Sequence, residues 1–330
     1  MVCHKNKTGP QQNFLKECVS LVFVSIKCPI PGAFFILSFS QNSSNNYNDF
    51  PLFALMSLFV SSLNSGSNGN CYYIGNEKEA VLVDAGISCR EIERRMKRLN
   101  LSMQKVKAVF ISHEHTDHIR GLHSLVKKYS LPVYITTPTL KFGRLYFQTD
   151  VTRNFSPHET VSVGELKITA FPKLHDASDP YSFTISYNDI RVGVFTDIGL
   201  PCENVINHFK QCHAAFLEAN YDDEMLDKGN YPFHLKRRIK GGKGHLSNKQ
   251  ALELFKRHRS SFMTHLILSH LSQNNNCPKL VEELFTQHAE GVKMIVASRH
   301  EETPVYQITS ISNPLIHYHS AQPEQMELFL

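Results

Sequence analysis

Along this chain, short runs of apolar and β-branched residues alternate with segments whose apolar positions recur at helical spacing. Residues 80–84 (AVLVD) are apolar for four positions and end in a carboxylate, the pattern of a buried strand. Ser88 followed by Glu91 predicts a capping box that opens a helix reaching about Arg98. Stretches 106–111, 131–135 and 166–171 read as further strands, and Tyr181–Tyr187 with Ile190–Phe195 flank Asn188-Asp189 as a hairpin. Beyond it the pattern predicts a strand at 213–217, a helix over 248–256 capped by Ser247, and a strand at 265–268. A helix near 279–287 and a strand at 292–296 complete it. Two strand-rich halves, each with helices to cover one face, predict a layered α/β sandwich around a mixed sheet core.

Residues 1–55 do not share this pattern. The apolar stretch 14–40 is interrupted by Lys16, Glu17, Lys27, Pro29 and Pro31, so it holds no clean run of the length that spans a membrane. Lys5 and Lys7 precede it, but no small-residue cleavage site follows, and 41–48 is a polar, linker-like stretch. The expected organisation is an N-terminal extension over 1–55, dispensable or preceding a true start at Met56, then one folded domain over 56–320 and a tail over 321–330. At 42% hydrophobic and 20% charged, the composition is that of a folded globular protein. A net charge of +5 is compatible with an anionic substrate. The eight cysteines show no C-x-x-C spacing, which predicts free thiols in a reducing cytoplasm.

Eighteen histidines change the picture, because neutral imidazole is the commonest metal ligand. His113-Glu-His115-Thr-Asp117-His118 packs four potential ligands into six residues at the end of a predicted strand. A loop leaving a strand can turn His113 and His115 toward one ion, and Asp117 with His118 toward a second. Two ions about 3.5–4 Å apart clamp the attacking and leaving oxygens of a displacement. His175, Asp197 and His270 each follow a predicted strand later in the chain, where they can complete the ligand set.

This series resembles the five motifs of the metallo-β-lactamase superfamily, over roughly residues 56–310. The resemblance implies a four-layer αββα sandwich, with His113, His115 and His175 on one metal and Asp117, His118 and His270 on the other. It also implies Asp197 as the bridge and Asp84 as an acidic residue orienting a ligand. The nitrogen and oxygen donor set suits Zn²⁺, with Mn²⁺ or Fe²⁺ the alternatives.

Three segments direct the substrate expectation toward nucleic acid. Leu217-Glu-Ala-Asn-Tyr221 and Gly244-His-Leu-Ser-Asn248 resemble segments of ribonuclease Z proteins, which makes His245 a candidate to protonate the leaving alkoxide, oriented by Glu218. Ser247 lies at a helix start suited to phosphate. The basic run 234–243, with Lys236, Arg237 and Arg238, is placed to line an entrance for a phosphate backbone. The start Leu63-Asn-Ser-Gly-Ser-Asn-Gly-Asn70, together with the histidine cluster, is similar to the YycJ/WalJ group of cytoplasmic metallohydrolases. That group is linked to 5′→3′ exonuclease activity on DNA. Its glycine-rich loop, with Asn70, is a candidate anion contact. Gln325, Met326, Leu328 and Phe329 resemble the short peptide by which bacterial replication and repair enzymes bind the sliding clamp. The expectation is a dinuclear-metal hydrolase that cleaves DNA phosphodiesters with a water activated by the metals. The alternatives are a glyoxalase II-type thioesterase, a cyclic-nucleotide phosphodiesterase, or a non-catalytic scaffold of the same fold.

Overall fold

The computed structural model describes residues 57–148 and 150–310. The expected extension over 1–55, the start at Met56 and the 325–329 peptide lie outside the described residues.

The first half of the chain builds one sheet and its helices. In chain order these are β1 (Ser57–Asn64), β2 (Cys71–Gly75), β3 (Ala80–Val83), α1 (Cys89–Arg98), β4 (Val106–Phe110), α2 (Thr116–Ile119), α3 (Leu122–Tyr129), β5 (Val133–Tyr134), α4 (Thr137–Phe142) and β6 (Thr152–Arg153). The second half supplies β7 (Thr160–Val163), β8 (Leu166–Pro172), β9 (Tyr181–Tyr187), β10 (Ile190–Phe195), α5 (Glu203–Phe209), β11 (Ala214–Glu218), α6 (Asp223–Lys228), α7 (Phe233–Lys240), α8 (Asn248–His258), β12 (His265–Ser269), α9 (Pro278–Thr286) and β13 (Lys293–Val296). A last strand, β14 (Tyr306–Thr309), returns to pair antiparallel with β1, Ser57 opposite Thr309 and Val60 opposite Tyr306. The result is two seven-stranded mixed sheets, ordered β14-β1-β2-β3-β4-β5-β6 and β13-β12-β11-β10-β9-β8-β7.

Strand periodicity explains the layering, because successive side chains point to opposite faces. Val81 and Val83 of β3, Phe110 of β4, Phe183 and Ile185 of β9, and Val192 and Val194 of β10 meet in the core between the sheets. The intervening Leu82 and Val109 face outward onto α1 and α3, through Ile92, Met96, Leu122 and Leu125. On the far side, Phe195 and Leu217 pack against Phe209 of α5, Phe255 of α8 and Phe285 of α9. Each sheet therefore buries both faces, and the layers run helix, sheet, sheet, helix.

Several expected elements differ in detail. The strand expected over 131–135 contracts to β5. At α1 only half of the capping box forms. Ser88 accepts from the Glu91 N–H, but the Glu91 carboxylate is taken by Arg94 and Arg95. The reciprocal box forms at α8 instead, between Ser247 and Gln250. The basic run folds as α7. Among the described residues no helix is long and apolar enough to cross a membrane.

Candidate metal centre

The C-terminal ends of parallel strands converge on one side of the sandwich. In the first sheet, β3 and β4 run parallel and release Asp84 and the 112–118 loop. In the second, β10, β11 and β12 run parallel and release Asp197, Glu218 and His270, while β8 leads to His175. Asp84, Asp197 and His270 all take left-handed backbone, with φ of 61°, 54° and 56°. Aspartate and histidine enter that region more readily than most non-glycine residues, and it turns each chain abruptly off its strand.

Two clusters of ligating atoms result. His113 Nε2 lies 3.0 Å from His115 Nδ1, which is 3.3 Å from His175 Nε2. Asp117 Oδ2 lies 3.5 Å from both His118 Nε2 and His270 Nε2. Asp197 stands between them. Its Oδ1 is 3.7 Å from His175 Nε2 and 3.5 Å from His270 Nε2, and its Oδ2 is 3.2 Å from His118 Nε2. All seven residues expected as ligands are thus brought together in overlapping groups of the size a cation needs.

The opposite ring nitrogens are held from behind. His118 Nδ1 donates to Asp84 Oδ2 at 2.7 Å, and Asp84 also accepts from the Ser112 N–H and hydroxyl. His175 Nδ1 donates to the Gly244 carbonyl at 3.0 Å, and His270 Nδ1 to Glu218 Oε1 at 3.0 Å. Such partners fix the tautomer and leave the inward nitrogen's lone pair for an ion.

Glu218 does more than expected. Its Oε1 faces both His270 and His245 Nδ1, the latter at 2.7 Å, while Oε2 accepts from the backbone N–H groups of Ile198 and Leu246. His245 is the more accessible of its two imidazoles, with a side chain 20% exposed. Asn70 and Ser247, expected as substrate contacts, are instead buried and occupied within the protein. Asn70 is 0% exposed. Its Nδ2 donates to Asp117 Oδ2 at 3.1 Å, and its Oδ1 accepts from the Gly66 N–H and the Tyr72 hydroxyl. The Ser247 hydroxyl caps α8. Of the basic run, Arg238 pairs with Asp176, Lys240 pairs with Asp227, and Lys236 donates to the Asp227 carbonyl. Arg237 is exposed, with no ion pair among the described residues.

Residues 79–271 match the family described as the β-lactamase superfamily domain. The exodeoxyribonuclease YycJ of Bacillus anthracis is 34% identical over 240 residues, spanning 71% of this chain and 90% of that protein. The metallo-β-lactamase-fold protein YhfI of Bacillus subtilis superposes with a TM-score of 0.59 at 17% identity, covering 76% of this chain and 99% of that one. Zn²⁺-bound PqqB of Methylobacterium extorquens gives 0.57 at 17% identity, covering 74% and 99%. The chain belongs to the metallo-β-lactamase superfamily.

The electrostatics suit the centre of a metallo-β-lactamase-fold hydrolase. Burial keeps His113 well below the usual histidine range and lowers His175 to about 4, so both present neutral imidazole, the ligating form. His118 and His270 behave oppositely. Burial opposes their charging, but Asp197 and the neighbouring carboxylates drive His118 well upward and His270 to about 10, and the same negative field favours a cation taking the place of the proton on the inward nitrogen. Against its own burial, His245 and His270 hold the Glu218 carboxyl down at about 2. Asp197 Oδ2 is buried without a hydrogen-bond partner. Its nearest polar neighbour is the His118 ring nitrogen at 3.2 Å, so the carboxylate oxygen is poorly satisfied, and a cation between it and the neighbouring imidazoles satisfies it. The donor set therefore fits divalent metal.

Three contributors escaped the sequence reading. Ser65, expected only as part of an anion loop, accepts the His270 N–H at 2.7 Å. Asn220 donates to the His270 carbonyl at 2.8 Å. Lys173 is buried against the Thr196 carbonyl at 2.7 Å, beside Asp197. A buried lysine two residues before His175 carries a sequence signal only in retrospect, as a charge just after a strand.

Proposed function

We propose that the chain is a two-metal phosphodiesterase acting on nucleic acid, and that its substrate is DNA, shortened from the 5′ end. The observation that carries this reading is His245, held by Glu218 at 2.7 Å with its Nδ1 only 3.9 Å from Asp197 Oδ1. A thioester hydrolase has less need of a proton donor for an alkoxide than a phosphodiesterase does. The name exodeoxyribonuclease, borne by the Bacillus anthracis relative, supports the same substrate class.

In this proposal His113, His115 and His175 hold one cation, Asp117, His118 and His270 hold the other, and Asp197 lies between. Zn²⁺ is the favoured metal. Bound there, two divalent cations lower the pKa of water and neutralise charge on the phosphoryl group. The chain supplies the remaining work. Asp84 fixes the ring of His118, and Asn70 fixes the carboxylate of Asp117. With Nδ1 facing Glu218, His245 keeps Nε2 to hold a proton and pass it to the leaving oxygen. Arg237, with Lys236 and Arg238 beside it on α7, attracts the phosphate backbone. We further propose that the protein works in the cytoplasm on repair or replication intermediates, docking the sliding clamp through Gln325, Met326, Leu328 and Phe329.

The test offers the purified full chain, with Mn²⁺ or Zn²⁺, a 5′-phosphorylated single-stranded DNA, the matching RNA, a thioester and a generic phosphodiester. DNA is expected to shorten from its 5′ end. Asp117→Asn is expected to abolish hydrolysis of every substrate while the melting temperature moves by only a few degrees. Turnover of the thioester alone, or full activity in Asp117→Asn, overturns the reading.

A further inference from the structure

The segment Lys141-Phe-Gly-Arg-Leu-Tyr-Phe147 takes no part in the centre described above, yet it is mounted directly on it. Gly143 lies so close to the metal loop that a Cβ there would stand 3.4 Å from Glu114 Cβ and 3.2 Å from Ile119 Cδ1. Glu114 sits between His113 and His115, and its carboxylate accepts from the Ser178 N–H and hydroxyl, three residues past His175. The buried Thr139 of α4 reaches the Asp179 carbonyl at 3.4 Å. The helix is thus braced against both loops that carry the three-histidine cluster.

Within this segment the side chains divide sharply. Leu140, Leu145 and Phe147 pack onto the outer core of the first sheet. Phe142 and Tyr146 do not; they stand 64% and 84% exposed. Lys141 and Arg144, interleaved with them, are exposed and make no ion pair among the described residues. Two apolar rings left in water while the side chains around them are partly buried, with one unpaired cation between them and another just before them, match the pattern that binds single-stranded nucleic acid. Rings stack on bases of any sequence, and cations follow the backbone.

The backbone adds an independent observation. α4 ends in a Schellman arrangement, the Leu145 N–H donating to the Leu140 carbonyl and the Arg144 N–H to the Lys141 carbonyl, each at 3.1 Å. The residue after the cap in this motif sits in left-handed backbone and is usually glycine. Here it is Arg144, with φ of 51°, while glycine occupies the position before it. An arginine stands where glycine folds more easily, which costs some stability and raises the question of what its side chain contacts.

We propose that Phe142 and Tyr146 form a base-stacking platform, with Arg144 and Lys141 gripping the backbone, that feeds a single-stranded DNA toward the histidine loop. This rests on the nucleic-acid reading above and deepens it, because it names the strand's unpaired bases as the recognised feature.

The experiment measures binding of the full chain to a fluorescent 5′-phosphorylated oligothymidylate in chelator, so that nothing is cleaved, and, with Mn²⁺, turnover of a small chromogenic phosphodiester. Replacing both rings, Phe142→Ala with Tyr146→Ala, is expected to weaken oligonucleotide binding by about 5- to 150-fold per lost base stack. Small-substrate turnover should be unchanged. Arg144→Gly is expected to raise the melting temperature while weakening binding several-fold and lowering its salt slope by roughly 0.7. A more stable protein that binds worse separates a binding role from a structural one. Unchanged oligonucleotide binding in the double variant, with the wild type still binding and shortening DNA, overturns the platform and leaves the nuclease reading standing. A wild type that neither binds nor shortens nucleic acid overturns both.

Discussion

Glu218 is the residue on which most of the site's order depends. One buried carboxylate accepts two imidazole N–H groups and two backbone N–H groups, so every lone-pair direction is used. Replacing it by glutamine keeps the shape but puts a donor where His245 or His270 must donate, so one ring has to turn or change tautomer. Glu218→Gln is expected to lower metal affinity or kcat by about 10- to 100-fold, the usual cost of losing a partner behind a ligand. Metal titration alongside turnover reads this, and wild-type values for both would show that Glu218 is a bystander. At this scale the sequence was informative wherever a ligand ended a strand, since position and residue type then coincide. It was uninformative for Asn70 and Ser65, whose partners Asp117 and His270 come close only after folding.

At the scale of elements, the centre depends on three segments knitted through backbone. The Asn70 N–H donates to the Asp117 carbonyl, the Gly86 N–H to the Asn70 carbonyl, and the Ala85 N–H to the His118 carbonyl. Gly86 is what lets them meet. A Cβ there would lie 1.6 Å from the Asp117 oxygen and 2.5 Å from the Asn70 nitrogen. Gly86→Ala therefore forces apart the loops carrying Asn70 and Asp117, and about 1–3 kcal/mol or more of stability should be lost, read as a lower denaturation midpoint. A variant as stable as wild type would show that the loops have slack. The hairpin β9–β10 was legible to the residue because period-two alternation and Asn188-Asp189 are local signals. β1 was hidden because its Ser61 and Ser62 look like surface residues. Both are buried, the Ser61 hydroxyl donating to the Thr303 carbonyl and the Ser62 backbone N–H to the Thr303 hydroxyl, more than two hundred residues away. α7 was hidden by its cations, of which Arg238 finds Asp176 far back in the chain and Lys240 finds Asp227 on the preceding helix.

For the molecule as a whole, pH acts through half-buried histidines far from the ligands. His265 opens β12, at the end opposite His270, and burial with Lys293 lowers it to about 4. His208 stacks on Phe171 with ring centroids 3.9 Å apart, and burial with Arg191 lowers it likewise to about 4. Since the unfolded value is about 6.5, the unfolded chain takes up these protons first. The stability they confer is complete above pH 6.5 and is lost as pH falls through 4. Melting temperature should therefore drop between pH 7 and 4.5, and the drop should be smaller in His208→Gln. Equal drops would mean that His208 titrates normally when folded.

The pairing of β1 with β14 also sets an order of events on the ribosome. Among the described residues, one edge of β1, the first strand, is covered by β14, the last. At roughly 5–20 residues per second, that edge waits on the order of ten to fifty seconds for its partner to be made. During that interval the nascent first sheet offers an open strand to any neighbouring chain, so crowded synthesis on one messenger is a condition under which this protein should aggregate.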